Sequence, residues 1–386
     1  MRILHLFDLF TPHGGGTVDL LYVITKALAE RGHEPEIYAG DIKIDRDYIA
    51  SLLKVKVSLF RCLSSLGGFY IMPGIIPAFR DTLKGFDIIH IHTTRSFQNI
   101  VAHHYAKKYN IPYVLDAHGS LPRVVQGNKG FKWLLKWFFD IVFGYHILND
   151  AAKVVAETQV GISEYRDFHV EPERIVLIPP PFNTEAFSRL PPPGSFRERY
   201  QLNGKKIIMF LGRIHWIKGI DFLVESFAAL AKSRNDAVLV IVGNDDGYKA
   251  TLEELIARLG ITDRVLFTGF LGGESKLEAL VDADMVIQTS RYEQGAGVPF
   301  EAVLCGTPII VSGNSGAGED VQRINAGYLV EYGNIDDLKQ KMEYVISHQD
   351  EAAVKTRVAK KYIEENMSIE KGIEKYEKLY KSIIRR

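Results

Sequence analysis

Short apolar runs alternate with longer segments of helical period along this chain, and the pattern starts over once. In the first half the runs Ile3–Phe7, Pro35–Ala39, Val55–Phe60, Ile88–His92, Tyr113–Asp116, Val154–Glu157 and Ile175–Ile178 read as strands. Several are continuously apolar, the signature of parallel strands covered on both faces. Between the first two, Leu20, Leu21, Ile24, Ala27 and Leu28 recur at i, i+3, i+4 spacing and predict a helix over Thr17–Arg31, closed by Gly32. That is a βαβ unit.

Pro179-Pro180-Pro181 and Pro191-Pro192-Pro193-Gly194 interrupt the rhythm. Proline continues neither a helix nor a central strand, so the interdomain linker is expected here. Strands then resume at Lys206–Leu211, Val238–Val242, Val265–Phe267, Met285–Gln288, Pro308–Val311 and Gly327–Val330, with helices at Asp221–Ser233 and Lys249–Leu259. Two charged amphipathic helices end the chain, Ile335–Asn366 (broken near His348) and Ile369–Arg386. The fold class expected is α/β, two doubly wound Rossmann-like domains, with ligands at the C-terminal ends of the strands. The division expected is residues 1–182, then 183–366, with helix 367–386 packing back on the first domain.

Composition narrows the function. The chain has 386 residues, with Lys+Arg and Asp+Glu at 47 each, so its formal net charge is zero. A nucleic-acid binder would carry a basic excess, and no nucleic-acid partner is expected. Two cysteines far apart, Cys62 and Cys305, give no disulfide scaffold and no zinc spacing, and suit a reducing compartment. The apolar run after Met1-Arg2 is too short for a secretion signal, so a cytoplasmic location is expected.

Four short motifs carry chemistry. Gly14-Gly15-Gly16 lies between the first strand and first helix, where glycines admit a ligand close to the backbone and a helix N-terminus attracts phosphate. It matches neither GxxxxGK[ST] nor GxGxxG, and a flexible turn is the plainer reading. Arg213 and Lys218 lie in the loop that opens the second half, where two cations can neutralise a diphosphate; solvated surface charge is the alternative. Glu293 and Glu301 bracket a loop entering a helix at Pro299. Such carboxylates can accept from sugar or ribose hydroxyls, and Glu301 can otherwise complement the helix dipole. His118 follows a strand and is expected to point outward from its end, able to polarise a hydroxyl; a buried structural histidine competes with that reading. His90 and His92 alternate on the neighbouring strand and read as packing residues. No HExxH or similar spacing occurs among the twelve histidines.

Together these residues resemble the retaining nucleotide-sugar glycosyltransferases of the GT-B fold, family 4. Gly15-Gly16, Leu211-Gly212-Arg213, Lys218-Gly219, and Glu293 with Glu301 in an E-x7-E pattern occur in the family's order, and Cys305-Gly306-Thr307-Pro308 follows as in its helix and turn. The resemblance implies that Arg213 and Lys218 grip a diphosphate, with Gly15 and Gly16 approaching it. It also implies that Glu301 binds ribose, Glu293 the transferred hexose, and that His118 contacts the donor sugar. Ala296, Gly297 and Val298 would supply backbone donors, since Pro299 has none. Gly295 and Ala296 stand where the family often has an aromatic residue and then a glycine. No metal or other cofactor is implied, because the two cations take that role. The expected substrates are a UDP- or GDP-linked hexose and a glycan, lipid-linked or small-molecule acceptor. The competing readings are a sugar-nucleotide epimerase of the same fold and a non-catalytic nucleotide-sugar-binding protein.

One segment fits none of this. Residues 129–148 carry Phe131, Trp133, Leu134, Leu135, Trp137, Phe138, Phe139, Ile141, Val142 and Phe143, with Lys132, Lys136 and Asp140 every fourth residue. On a helix these three form one narrow polar stripe. The apolar segment Phe69–Ile76 is expected nearby. The helix reads either as a peripheral membrane contact or as a core helix.

Overall fold

The computed structural model describes residues 1–12, 15–66, 69–122, 131–295 and 297–384. Of the residues singled out above, Gly14, Ala296, Lys129 and Gly130 lie outside that set, as do the side chains of Phe131 and Lys132. The chain divides into two compact units, Met1–Pro181 with Ile369–Arg386, and Phe182–Ser368.

In the first unit the strands are β1 (Arg2–Leu9), β2 (Glu34–Gly40), β3 (Lys56–Phe60), β4 (Ser64–Leu66), β5 (Phe69–Ile71), β6 (Ile88–His92), β7 (Tyr113–Asp116), β8 (Lys153–Ala156) and β9 (Ile175–Leu177). Seven of them form one parallel sheet in the order β3-β2-β1-β6-β7-β8-β9, while β4 and β5 pair as a small antiparallel hairpin. The order reverses between β1 and β6, which makes their C-terminal ends the topological switch point. One face is covered by Gly16–Glu30 and the C-terminal helix Ile369–Ile384, which bury Leu20, Ile24 and Leu28 with Ile373, Tyr376 and Tyr380 over Ile3, Ile88, Val114 and Val155. The middle of the C-terminal helix is tied to the end of the first helix by Glu377, which accepts from Arg31 Nε at 3.0 Å and lies 2.9 Å from His33 Nε2. Gly372 is required there, since a Cβ would lie 2.5 Å from the Pro181 ring.

The second unit repeats the plan. Its strands are β10 (Lys206–Leu211), β11 (Ala237–Val242), β12 (Val265–Gly269), β13 (Met285–Gln288), β14 (Ile309–Ser312) and β15 (Tyr328–Val330), all parallel, in the order β12-β11-β10-β13-β14-β15. β11 is buried at every position, as its unbroken apolar run requires. Two apolar clusters sandwich the sheet. Here the switch point falls between β10 and β13, so the loops after those two strands face one crevice. The long C-terminal helix breaks as expected at His348, between Ile335–Ser347 and Gln349–Asn366.

The aromatic segment departs from a single helix. It runs as an α-helix, Phe131–Phe139, a π-helical turn, Asp140–Gly144, and a short helix, Tyr145–Asn149. The expected polar stripe therefore fails at Asp140. Its carboxylate is buried and accepts from Arg95 Nε and Nη2 at 2.8 and 2.9 Å. A buried carboxylate needs such a partner, and a π turn is a common way to re-aim one side chain. Phe139 and Phe143 pack inward, whereas Leu134, Leu135, Trp137, Phe138, Ile141 and Val142 are exposed. Phe69 of β5 meets Phe139, ring centroids 6.0 Å apart, so the two apolar segments are neighbours.

Candidate active site

The loops after β10 and β13 are fastened to each other. After β10 the chain makes a single 3₁₀ turn, Trp216–Lys218, and passes through Gly219 at φ 61° into the helix Ile220–Ala231. His215 caps that turn, its Nδ1 accepting from Ile217 N at 3.1 Å. From the other loop, Arg291 N donates to Ile217 O at 2.8 Å and Thr289 Oγ1 to Gly219 O at 2.9 Å. The Arg291 guanidinium stacks 4.4 Å from the centre of Trp216 and bonds to Trp216 O and Asp221. Burial opposes its charge, but the Asp221 carboxylate outweighs burial and its pKa is raised.

This fastening sets Lys218 against Glu293. The ammonium donates to Glu293 Oε2, which also accepts from Gln288 Nε2 at 2.7 Å and Ser290 Oγ at 3.1 Å. The Glu293 carbonyl accepts from Gly316 N at 2.8 Å, and a Cβ on Gly316 would lie 2.0 Å from Gln294 O, so glycine alone permits that contact. Arg213 is more open, with its side chain 66% exposed and, among the described residues, paired with the exposed Asp246 after β11. Glu301 lies in the helix Gly297–Leu304, one residue beyond its first turn, and accepts from Lys276 Nζ at 3.0 Å on both oxygens. The structure thus brings Lys218 and Glu293 into direct contact at the switch point. It gives Arg213 and Glu301 partners, Asp246 and Lys276, that spacing did not suggest. Gly297 and Val298 open the helix that carries Glu301.

In the first unit Gly15 has φ 83° and caps the helix that Gly16 begins. Among the described residues a Cβ on Gly16 would meet nothing within 4 Å. Room left open at a helix N-terminus suits a close-approaching anion.

Of the two readings of His118, the buried one matches its side chain. Its side chain is turned in and only 3% exposed, with Nδ1 2.8 Å from Glu157 Oε1 and Nε2 2.9 Å from His92 Nδ1. The physical reason is local. The residue follows β7 at φ 45°, and its two ring nitrogens meet the buried Glu157 and His92. Burial works against the imidazolium, but Asp116 and Glu157 outweigh it and raise its pKa. Burial likewise pushes Asp116 up to about 7, against the pull of His118. His90 and His92 are buried as packing residues should be; His92 also belongs to this hydrogen-bonded set, whereas His90 Nδ1 lies 2.7 Å from the Tyr380 hydroxyl. Two groups of potential ligand atoms occur among the described residues, His5/His90/His92 and Asp116/His118/Glu157. Both nitrogens of His92 and of His118 are engaged within these groups, as is His5 Nδ1, whereas the buried His5 Nε2 and His90 Nε2 have no partner among the described residues.

Comparison with known proteins agrees with this geometry. Residues 14–186 match the family described as Glycosyltransferase Family 4, and residues 195–362 match Glycosyl transferases group 1. The 2-deoxystreptamine glucosyltransferase of Streptomyces kanamyceticus is 24% identical over 298 residues, 73% of this chain and 74% of that one. The N-acetyl-alpha-D-glucosaminyl L-malate synthase of Bacillus anthracis is 23% identical over 394 residues, covering 97% and 96%. Among solved structures, HepE of Anabaena, crystallised with UDP and glucose, superposes with a TM-score of 0.80 at 20% identity, over 99% of this chain and 100% of that one. With both halves matched in order, and paired cations and carboxylates at the second sheet's switch point, the chain belongs to the group 1, family 4 glycosyltransferases of the GT-B fold.

Proposed function

We propose that this enzyme transfers a hexose from a UDP- or GDP-linked donor to a glycan, lipid-linked or small-molecule acceptor, with retention of anomeric configuration. The observation that carries the reading is the Lys218–Glu293 contact at the β10/β13 switch point, with Arg213 open beside it on the loop after β10. Arg213 and Lys218 would neutralise the diphosphate, which leaves Glu293 free of its cation to accept from a hexose hydroxyl. Glu301 would take the ribose hydroxyls, sharing its oxygens with Lys276. Gly297 and Val298 would offer backbone donors, Gly15 and Gly16 would admit phosphate, and His118 would meet a sugar oxygen. Retention follows if the acceptor attacks from the face the diphosphate leaves, with that leaving group taking the acceptor's proton. Two fixed cations make a divalent metal unnecessary for this step.

A panel of UDP-, GDP- and ADP-sugars tests the reading by thermal unfolding. One nucleotide class at 100 times its Kd should stabilise the protein by about 2.7 kcal/mol. No shift with any member of the panel would reject a nucleotide-sugar donor.

The apolar helix favours a further element, peripheral association with the cytosolic face of a membrane. No helix among the described residues is long and apolar enough to cross one. Leu134, Phe138 and Ile141 nevertheless share one helix face and are 48%, 59% and 48% exposed. Such a face suits the interfacial zone of a bilayer and a lipid-linked acceptor. Wild-type protein should co-sediment with anionic liposomes, and a folded Trp137→Glu/Phe138→Glu variant should not. Equal behaviour of the two would remove the helix as an anchor.

A further inference from the structure

The first unit's sheet carries a polar seam through an otherwise apolar face. Side chains alternate across a strand, so Ile3 and His5 of β1, Ile88, His90 and His92 of β6, and Val114 and Asp116 of β7 share one face. Register sets His5 beside His90 and His92 beside Asp116. His5, His90, His92 and Asp116 are all at most 1% exposed. Four members form a continuous chain. His5 Nδ1 lies 3.0 Å from His92 Nε2, His92 Nδ1 lies 2.9 Å from His118 Nε2, and His118 Nδ1 lies 2.8 Å from Glu157 Oε1. The His92 and His118 rings are parallel within 1°. Asp116 Oδ1 stands 3.3 Å from His118 Nδ1.

With Glu157 ionised and His5 and His92 neutral, two proton arrangements satisfy every link. In one, His118 is neutral and accepts at Nε2 from His92, which accepts from His5. In the other, His118 donates from both nitrogens, to Glu157 and to His92, and His92 donates on to His5. A neutral histidine has one donor and one acceptor, a charged one two donors. The surroundings choose the second. Both carboxylates stand within 3.3 Å of His118 Nδ1, whereas among the described residues none is hydrogen-bonded to His5 or His92. Burial accordingly holds His92 and His90 well below the ordinary range and His5 at about 3. Tyr165, Tyr376 and Tyr380, which lie near Asp116, are kept neutral by burial.

We propose that Glu157 and His92 are positioning residues for His118, holding its ring doubly protonated and fixed in plane, so that it serves a substrate oxygen as a hydrogen-bond donor and not as a base. This rests on the reading that His118 meets substrate. A sugar oxygen would compete with His92 for Nε2–H, and no proton would change owner.

The test uses the full chain labelled with ¹⁵N-histidine, with His118 assigned by comparison with His118→Gln. Long-range ¹H–¹⁵N spectra should show His118 keeping both nitrogens protonated to higher pH than an ordinary imidazole. In the near-isosteric Glu157→Gln variant the ring should titrate at lower pH, its charged-to-neutral ratio at pH 7.5 falling by about tenfold or more. Its turnover should fall between pH 6 and 8 where the wild type's does not. His92→Asn, which keeps an acceptor oxygen, should retain the charged ring better than His92→Leu. A neutral His118 at pH 7.5 in the wild type, or a Glu157→Gln spectrum unchanged from it, would overturn the proposal. Full turnover by His118→Gln with the charged-ring spectrum intact in the wild type would instead remove His118 from the substrate, a failure of the underlying reading visible separately from the charge.

Discussion

Arg213→Ala and Lys218→Ala should each lower kcat by on the order of 10²–10³, the usual cost of losing one preorganised donor to a charge that grows in the transition state. The leaving diphosphate gains negative charge as the glycosidic bond breaks, and these two cations stand at the switch-point crevice of the second sheet. Their surroundings predict different side effects. Arg213 is exposed and its partner among the described residues is the exposed Asp246, so its loss should leave the melting temperature near that of the wild type. Lys218 shares Glu293 with Gln288 and Ser290 in a part-buried cluster, so its loss leaves a carboxylate short of a donor and should also soften the fold. Near-normal turnover in both variants would sink the diphosphate assignment, whatever their stability.

The strands were legible because a parallel sheet covered on both faces demands contiguous apolar runs, and Ile88–His92, Lys206–Leu211 and Met285–Gln288 match their observed ends. The hairpin of β4 and β5 escaped notice because three-residue strands leave too few positions for any period to emerge. The cations and glutamates of the second unit could be found because glycines and prolines mark the loops that carry them. Their resting partners could not, since Asp246 and Lys276 come from loops and helices far along the chain. The same holds for Glu157, 39 residues from His118. A partial signal was present, however. Period-2 alternation alone puts His90, His92 and Asp116 on one face of adjacent strands, which is an improbable surface to bury without mutual hydrogen bonds. Asp140 had no such signal. Its fourfold spacing with the lysines suggested a solvated stripe, and only the π turn brings it to Arg95.

Gly219→Ala should damage the stability of the second unit and its site together. Gly219 holds φ 61° between the 3₁₀ turn that carries Lys218 and the helix that begins at Ile220. Left-handed backbone costs a residue with a Cβ roughly 1–2 kcal/mol. The larger penalty is steric. The added Cβ would lie 2.0 Å from Thr289 O and 2.9 Å from Tyr332 Cε2. Thr289 is fully buried at the end of β13, so it cannot yield without moving the strand end. Overpacking of this kind adds typically 1–3 kcal/mol. Relief would push apart the loops after β10 and β13, and with them Lys218 and Glu293. A 1 Å displacement at a reacting centre can cost about 10² in rate. Gly260→Ala separates the two effects, because Gly260 has φ 69° but nothing within 4 Å of its Cβ position. That control should lose only the backbone part and keep its turnover. Gly219→Ala should melt several degrees lower than the control, at about 2–4 °C per kcal/mol for a unit of this size, and turn over roughly a hundredfold more slowly. Matching melting temperatures and matching rates in the two variants would mean that the loops absorb the methyl group, and that the β10–β13 fastening does not hold the site in register.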